Sequence, residues 1–278
     1  MKTTYLIPLL VLAVFLTNCE IKNEQQTSAT EAQDSVAEDD TSALYYEFTS
    51  FIKKYGDCKT DTSAHCTRID LNYPIFKSEQ HPELTGQINN KIQEAVIDLV
   101  FPDTIENKSL ELFADRFISD YKEIKEAFGE AFGWYAYLDG KVLRNDSLII
   151  SIELAADMYT GGAHGSYYLQ YLNFDAETGD RIAFESLFVP GYEARVNEVV
   201  EQKFRQKYDL KPGQDLSDEG YQFENGKYYN DKNFALLPKG IKFYYNSYEI
   251  APYSKGPSEV FVKYEDLKGL LKEDLLVM

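Results

Sequence analysis

Apolar residues keep a helical period between Ile88 and Phe128 and a strand period on either side of it. Ile88, Ile92, Val96 and Leu99 recur at three- and four-residue spacing, as do Leu110, Phe113, Phe117, Tyr121, Ile124 and Phe128. Each set therefore lines one face of a helix, and Pro102-Asp103 separates the two. Upstream, Tyr45, Phe48 and Phe51 and then Ile69, Leu71 and Tyr73 read as strands joined by a polar loop. Downstream of Trp134, Tyr135-Tyr137 and Leu148-Ile150-Ile152-Leu154 alternate as neighbouring strands, with Asn145-Asp146 as the turn. Tyr167 to Phe174 and Arg181 to Phe184 predict a further hairpin around Glu177-Thr178-Gly179-Asp180. Val196, Val199, Val200, Lys203 and Phe204 fit one helix, and Leu267, Leu270 and Leu271 a short closing one. Helices placed between runs of strands, not after each strand, predict an α+β fold with antiparallel sheets packed by helices. Two consecutive α+β halves are expected, 44–155 and 156–278.

The run Met158-Tyr159-Thr160-Gly161-Gly162-Ala163-His164-Gly165 lies between two alternating stretches. Glycine without a Cβ takes positive φ or lets another backbone come close, so the run marks a sharp corner. A tight connection between antiparallel strands is one reading. The other is a surface where backbone and His164 meet a ligand. Tyr248-Glu249-Ile250-Ala251-Pro252-Tyr253 is a second candidate surface, because tyrosines offer large, rigid, amphipathic contact area. Tyr159, Gly161, Gly162, His164, Tyr248 and Tyr253 are the expected ligand-binding residues, converging on one groove or face. A crowded turn shaped by Pro252 and Gly256 is the plainer alternative.

Tyr159 to Gly165, with Asn173-Phe174-Asp175, Thr178-Gly179 and Ser186-Leu187-Phe188, resembles the DUF3298 domain. The resemblance continues through Gly240 to Tyr245, Tyr248 to Tyr253, Gly256 and Tyr264 to Leu267. Tyr73-Pro74-Ile75-Phe76 and the Ile88-Asn89 segment resemble the companion DUF4163 domain. Relatives of this type include the lysozyme-binding extracellular region of an anti-sigma factor and the accessory domain of a peptidoglycan deacetylase. The resemblance implies a lysozyme-like protein or a peptidoglycan-related glycan as partner. It does not carry over anti-sigma activity, which needs a cytosolic segment and a membrane span. Nor does it carry over deacetylation, because only Lys268 to Met278 follow the matching segment.

The first 18 residues read as an export signal. Lys2 precedes an apolar stretch from Leu6 to Leu16, shorter than the roughly 20 residues a membrane span needs. Leu16-Thr17-Asn18-Cys19 resembles a lipobox, although Asn18 departs from the usual glycine or alanine. Cys19 is the expected lipidation site and the only membrane attachment. Residues 19–43 read as an acidic disordered tether, and the expected address is the cell envelope, on the outer membrane or a periplasmic face. Cys58 and Cys66 remain as an even pair in an exported chain, which predicts a disulfide stapling a hairpin loop. His65 is adjacent, but no second cluster of ligands joins it, so no metal is expected.

The chain carries 28 Lys and Arg against 46 Asp and Glu, a net charge of −18. That disfavours nucleic-acid phosphates and suits a basic protein partner. The sequence lacks a nucleophile elbow, a His-Glu-x-x-His helix, a phosphate loop and a dinucleotide fingerprint. No catalytic residue and no cofactor is expected. The reading is a binding protein of the envelope. A polysaccharide hydrolase or deacetylase is one alternative, using His164 with an acid such as Asp157. A structural lipoprotein without a ligand is another.

Overall fold

The computed structural model describes residues 43–58, 66–101, 108–129, 132–229 and 232–272. The expected export signal, Cys19, the expected tether up to residue 42 and His65 lie outside the described residues. Asp39–Met278 form one compact unit. Among the described residues eight strands make two sheets: five in the order β1-β2-β3-β4-β5 and three in the order β6-β7-β8.

β1 (Tyr45–Gly56) and β2 (Cys66–Lys77) pair antiparallel along their length. A disulfide joins Cys58 to Cys66 where the two strands meet their loop, with Cα atoms 4.7 Å apart. Closing so short a loop stabilises by about 2–3 kcal/mol in the chain-entropy account. α1 (Pro82–Val100) has proline in its first turn, where a missing N–H costs nothing. It buries Ile88, Ile92 and Val96 as the period requires. α2 (Leu110–Phe128) is capped by Ser109, whose hydroxyl accepts from the Leu112 N–H at 3.1 Å. Its buried stripe ends at Tyr121; Ile124 and Phe128 continue the period but are exposed. The last turn of α2 runs past the sheet that the first turns cover.

Both helices fall between β2 and β3 (Tyr135–Asn145), so the chain crosses the sheet face and β3 returns parallel to β2. This is the one departure from the expected antiparallel pairing among the described strands. The α+β class itself holds. β4 (Ile149–Tyr159) and β5 (Ser166–Asp175) complete the sheet antiparallel. The expected division at residue 155 falls inside β4. The expected partner for β5 around Arg181 is reduced to a single bridge, Phe174 to Arg181, after which Phe184–Leu187 form a 3-10 turn.

Helices α1 and α2 cover one sheet face, and Ile69, Leu71, Ala136, Leu138, Ile152 and Leu154 fill the layer between. α3 (Glu193–Lys207) packs against the second sheet, β6 (Phe234–Leu237), β7 (Gly240–Tyr245) and β8 (Ser258–Lys263), through Val196, Val200 and Phe204. The closing helix is one 3-10 turn, Tyr264–Leu267, followed by a bridge from Leu271 to Phe188.

The two sheets meet at the outer side of β5. Leu169 and Tyr171 bury against Ala235 and Tyr244. Asparagines then do the work of a sixth strand. Asn233 accepts from the Tyr171 N–H at 2.8 Å and donates to the Leu169 carbonyl at 2.7 Å. Asn246 accepts from the Leu169 N–H at 2.8 Å and donates to the same carbonyl at 3.1 Å. Asn173 reaches back, donating to the Phe234 carbonyl and accepting from the Leu236 N–H. The edge N–H groups of Leu169 and Tyr171 and the Leu169 carbonyl are thereby satisfied without strand pairing.

Candidate functional site

The connection from β4 to β5 is the glycine run. Gly161 and Gly162 have φ of +99° and +93°, a conformation that L side chains rarely adopt. The corner is held by the Tyr159 hydroxyl, which donates to the Gly162 carbonyl at 3.1 Å. A Cβ at Gly162 would meet open space, so the cost of adding one is conformational alone. Gly162→Val should lower stability by about 1 kcal/mol, read as a small fall in melting temperature.

From this corner His164 projects to the surface. Its Nδ1 lies 2.8 Å from the Gly165 carbonyl. Its ring stacks on Tyr253 at a centroid distance of 4.0 Å and an interplanar angle of 13°. Tyr253 in turn stacks on Tyr248 at 5.7 Å and 28°. The three rings come from loops 89 residues apart and form one exposed row; Tyr248 is 63% and Tyr253 42% exposed. Tyr248 sits at φ +72°, a backbone state that a bulky residue seldom occupies. Its N–H donates to the Ala251 carbonyl at 3.1 Å, which closes the turn that holds the ring outward.

Asn246 positions that loop. Besides clamping Leu169, its own N–H donates to Glu249 at 2.5 Å, so the residues leading into Tyr248 are tied to β5. Asn246 is not among the residues expected from the sequence. An asparagine ending a strand reads as a turn, and only its burial marks it as a clamp.

A second aromatic row runs beside the first, on the sheet face turned away from α1 and α2. Tyr159 stacks on its cross-strand neighbour Tyr135 at 5.9 Å, and Tyr135 on Tyr137 at 4.9 Å. The Arg68 guanidinium lies over Tyr137 at 5.8 Å. Asp157, considered above as an acid partner for His164, instead accepts from the Tyr135 hydroxyl at 3.4 Å. Burial first, and then the Asp157 charge, push the Tyr135 phenol above its ordinary pKa, so it stays a neutral donor. No carboxylate lies within hydrogen-bond reach of His164 among the described residues, and no group of His, Cys, Asp or Glu there could hold a metal ion. On the helix side of the corner, Phe101, Phe113, Arg116, Phe117, Trp134 and Thr160 line a cavity of about 270 Å³.

The structure thus brings Tyr159, Gly161, Gly162, His164, Tyr248 and Tyr253 to one neighbourhood, with His164, Tyr253 and Tyr248 in direct contact. Residues 185–265 match the family model for DUF3298, a protein of unknown function. This segment is similar to DUF3298. Residues 60–167 match the model described as deacetylase PdaC. The glycine run, expected with DUF3298 from its sequence, falls within this second match. The His164–Tyr253–Tyr248 row therefore takes its histidine from one matched segment and its tyrosines from the other.

Two solved structures share the fold. One is a DUF3298 family member from Bacteroides fragilis, with a TM-score of 0.67 at 20% identity, covering 84% of this chain and 95% of that one. The other is a DUF3298 family protein from Pseudomonas aeruginosa, with a TM-score of 0.62 at 23% identity, covering 84% and 96%. No curated protein matches the chain significantly.

Proposed function

We propose that this is a lipid-anchored cell-envelope protein whose folded part recognises a lysozyme-like protein or a peptidoglycan-related glycan without turnover. The exposed His164–Tyr253–Tyr248 row is the observation that carries this reading. Aromatic rings fixed at the surface supply contact area at little entropic cost, and such rings concentrate at binding centres. The strained backbone at Tyr248 supports it, because strain of this kind clusters where a side chain must be presented. The net charge of −18 would steer a basic partner such as a lysozyme toward the chain. Recognition is favoured over hydrolysis or deacetylation because His164 is committed to the Gly165 carbonyl and the Tyr253 ring, while Asp157 serves Tyr135.

The anchor is Cys19. Acylation there would hold the folded part at the membrane with the acidic segment up to Ala43 as spacer. Cys19→Ser should move the protein from the membrane to the soluble exported fraction, or leave it unprocessed, as read by cell fractionation. Retention in the membrane with the signal removed elsewhere would contradict the anchor. Binding is tested with the mature protein immobilised and a basic lysozyme or purified muropeptides in solution. Saturable binding of one of them is expected. If neither binds, a structural lipoprotein becomes the better reading.

A further inference from the structure

The five-stranded sheet has two edges, and the molecule treats them differently. At β5 the outward N–H and carbonyl of Leu169 and the outward N–H of Tyr171 are met by Asn233 and Asn246. At β1 no described residue hydrogen-bonds to the outward backbone groups. β1 is 12 residues long and exposes Tyr45, Phe48, Ile52 and Tyr55, at 66%, 47%, 55% and 37%. A long apolar edge that no other described strand pairs is a template for another strand.

We propose that this edge joins two copies of the chain, their β1 strands pairing antiparallel about a two-fold axis through Ser50 so that the two sheets become one. The sequence Tyr-Tyr-Glu-Phe-Thr-Ser-Phe-Ile-Lys-Lys-Tyr-Gly selects this register. Residues directly opposite each other share a sheet face, so the axis must pass through a residue and not between two. An axis through Ser50 sets Phe48 against Ile52, Glu47 against Lys53 and Tyr45 against Tyr55. In these three pairs apolar meets apolar and opposite charges meet, while Tyr46 falls against Lys54 and Thr49 against Phe51. Moving the axis to Thr49 sets Glu47 against Phe51 and Tyr45 against Lys53. Moving it to Phe51 sets Phe48 against Lys54 and Ser50 against Ile52. Lys53 and Glu47 would otherwise blunt the edge, since charges on an edge strand repel arbitrary pairing. Only the Ser50 register matches each of them.

Within one chain Glu47 pairs with Lys77, and Lys53 with Asp115 at 2.6 Å. Both are partly exposed surface pairs. Across the axis they extend to an alternating row, Lys77–Glu47 of one copy and Lys53–Asp115 of the other. The opposite sheet edge, which carries the His164 row, stays open to a ligand.

Cysteine cross-linking in the compact unit Asp39–Met278 tests the register. Its native cysteines, Cys58 and Cys66, are joined to each other. Ser50→Cys places the two new thiols opposite each other on the axis. Lys54→Cys places them eight residues apart along the strands, about 26 Å, beyond the reach of a disulfide. Under mild oxidation Ser50→Cys should run mostly as a covalent dimer on a non-reducing gel, and Lys54→Cys as a monomer. Light scattering at high micromolar concentration should give the wild type twice the monomer mass. It should give the exposed double variant Phe48→Lys, Ile52→Lys the monomer mass with an unchanged melting temperature. A monomeric wild type, or cross-linking by Lys54→Cys as fast as by Ser50→Cys, overturns the proposal.

Discussion

Gly240→Ala should destabilise the fold by about 3 kcal/mol or more, because the added methyl has nowhere to go. Gly240 starts β7 next to the hairpin from β6 and is buried against β8. A Cβ there would fall 2.2 Å from the Val262 carbonyl oxygen and 2.8 Å from the Lys263 Cα. Both are backbone atoms of the neighbouring strand, so relief requires β8 itself to move. Val260 and Val262 would then shift within the core that holds Phe204 and Phe243. A denaturant melt reads the loss directly, and a midpoint near that of the wild type would mean the strand spacing is softer than the structure indicates. The contrast with Gly162→Val is instructive. There the backbone angle is the only obstacle, whereas here the obstacle is another strand.

Asp146→Ala is expected to cost about 3 kcal/mol, the lower end for breaking a buried charge pair, because Asp146 is partly exposed. The turn between β3 and β4 is built on this side chain. One carboxylate oxygen accepts from the N–H groups of Leu148 and Ile149, both at 2.9 Å. The other accepts from the Arg144 guanidinium at 2.5 Å, and the Arg144 side chain is only 3% exposed. Burial alone would raise the Asp146 pKa. The Arg144 hydrogen bond and the two backbone donors outweigh it and hold the group below the ordinary carboxylate range. A depressed folded-state pKa means that the contribution is complete above about pH 5 and is lost as the pH falls through the folded-state value. Asp146→Asn should accordingly show a shallower loss of stability on acidification than the wild type. Urea melts from neutral pH downward measure this, and parallel acid limbs would contradict the assignment.

Asp146 also shows what a sequence discloses. Asn145-Asp146 is legible as a turn because short polar side chains bond their own backbone nearby. The buried arginine two residues earlier is not, since nothing local distinguishes Arg144 from a surface cation. The same division runs through the fold. Helices α1 and α2 follow from spacing, and the Cys58–Cys66 disulfide from an even pair of cysteines in a polar, turn-like stretch. The parallel pairing of β2 with β3 does not follow, because it depends on where the helical crossover returns the chain. Ile124 and Phe128 keep the helical period but lie beyond the sheet, and period alone does not report where a core ends. At the site, the positive φ of Gly161 and Gly162 is legible from residue type. The stacking of His164 on Tyr253 is not, since it needs Asn246 to clamp a distant loop onto β5. Asparagine side chains that replace a strand leave no periodic trace.

An affinity measurement on His164→Ala and Tyr253→Ala decides whether the His164–Tyr253–Tyr248 row binds a ligand. Both side chains are at the surface, so their loss should leave the melting temperature close to that of the wild type. Titrated against the basic lysozyme or the muropeptides that the wild type binds, each variant should lose roughly ten-fold or more in affinity, as truncation of an aromatic contact at a binding centre does. Variants that melt normally and bind as tightly as the wild type would contradict the claim, and the glycine run would then be a corner in the sheet and nothing more.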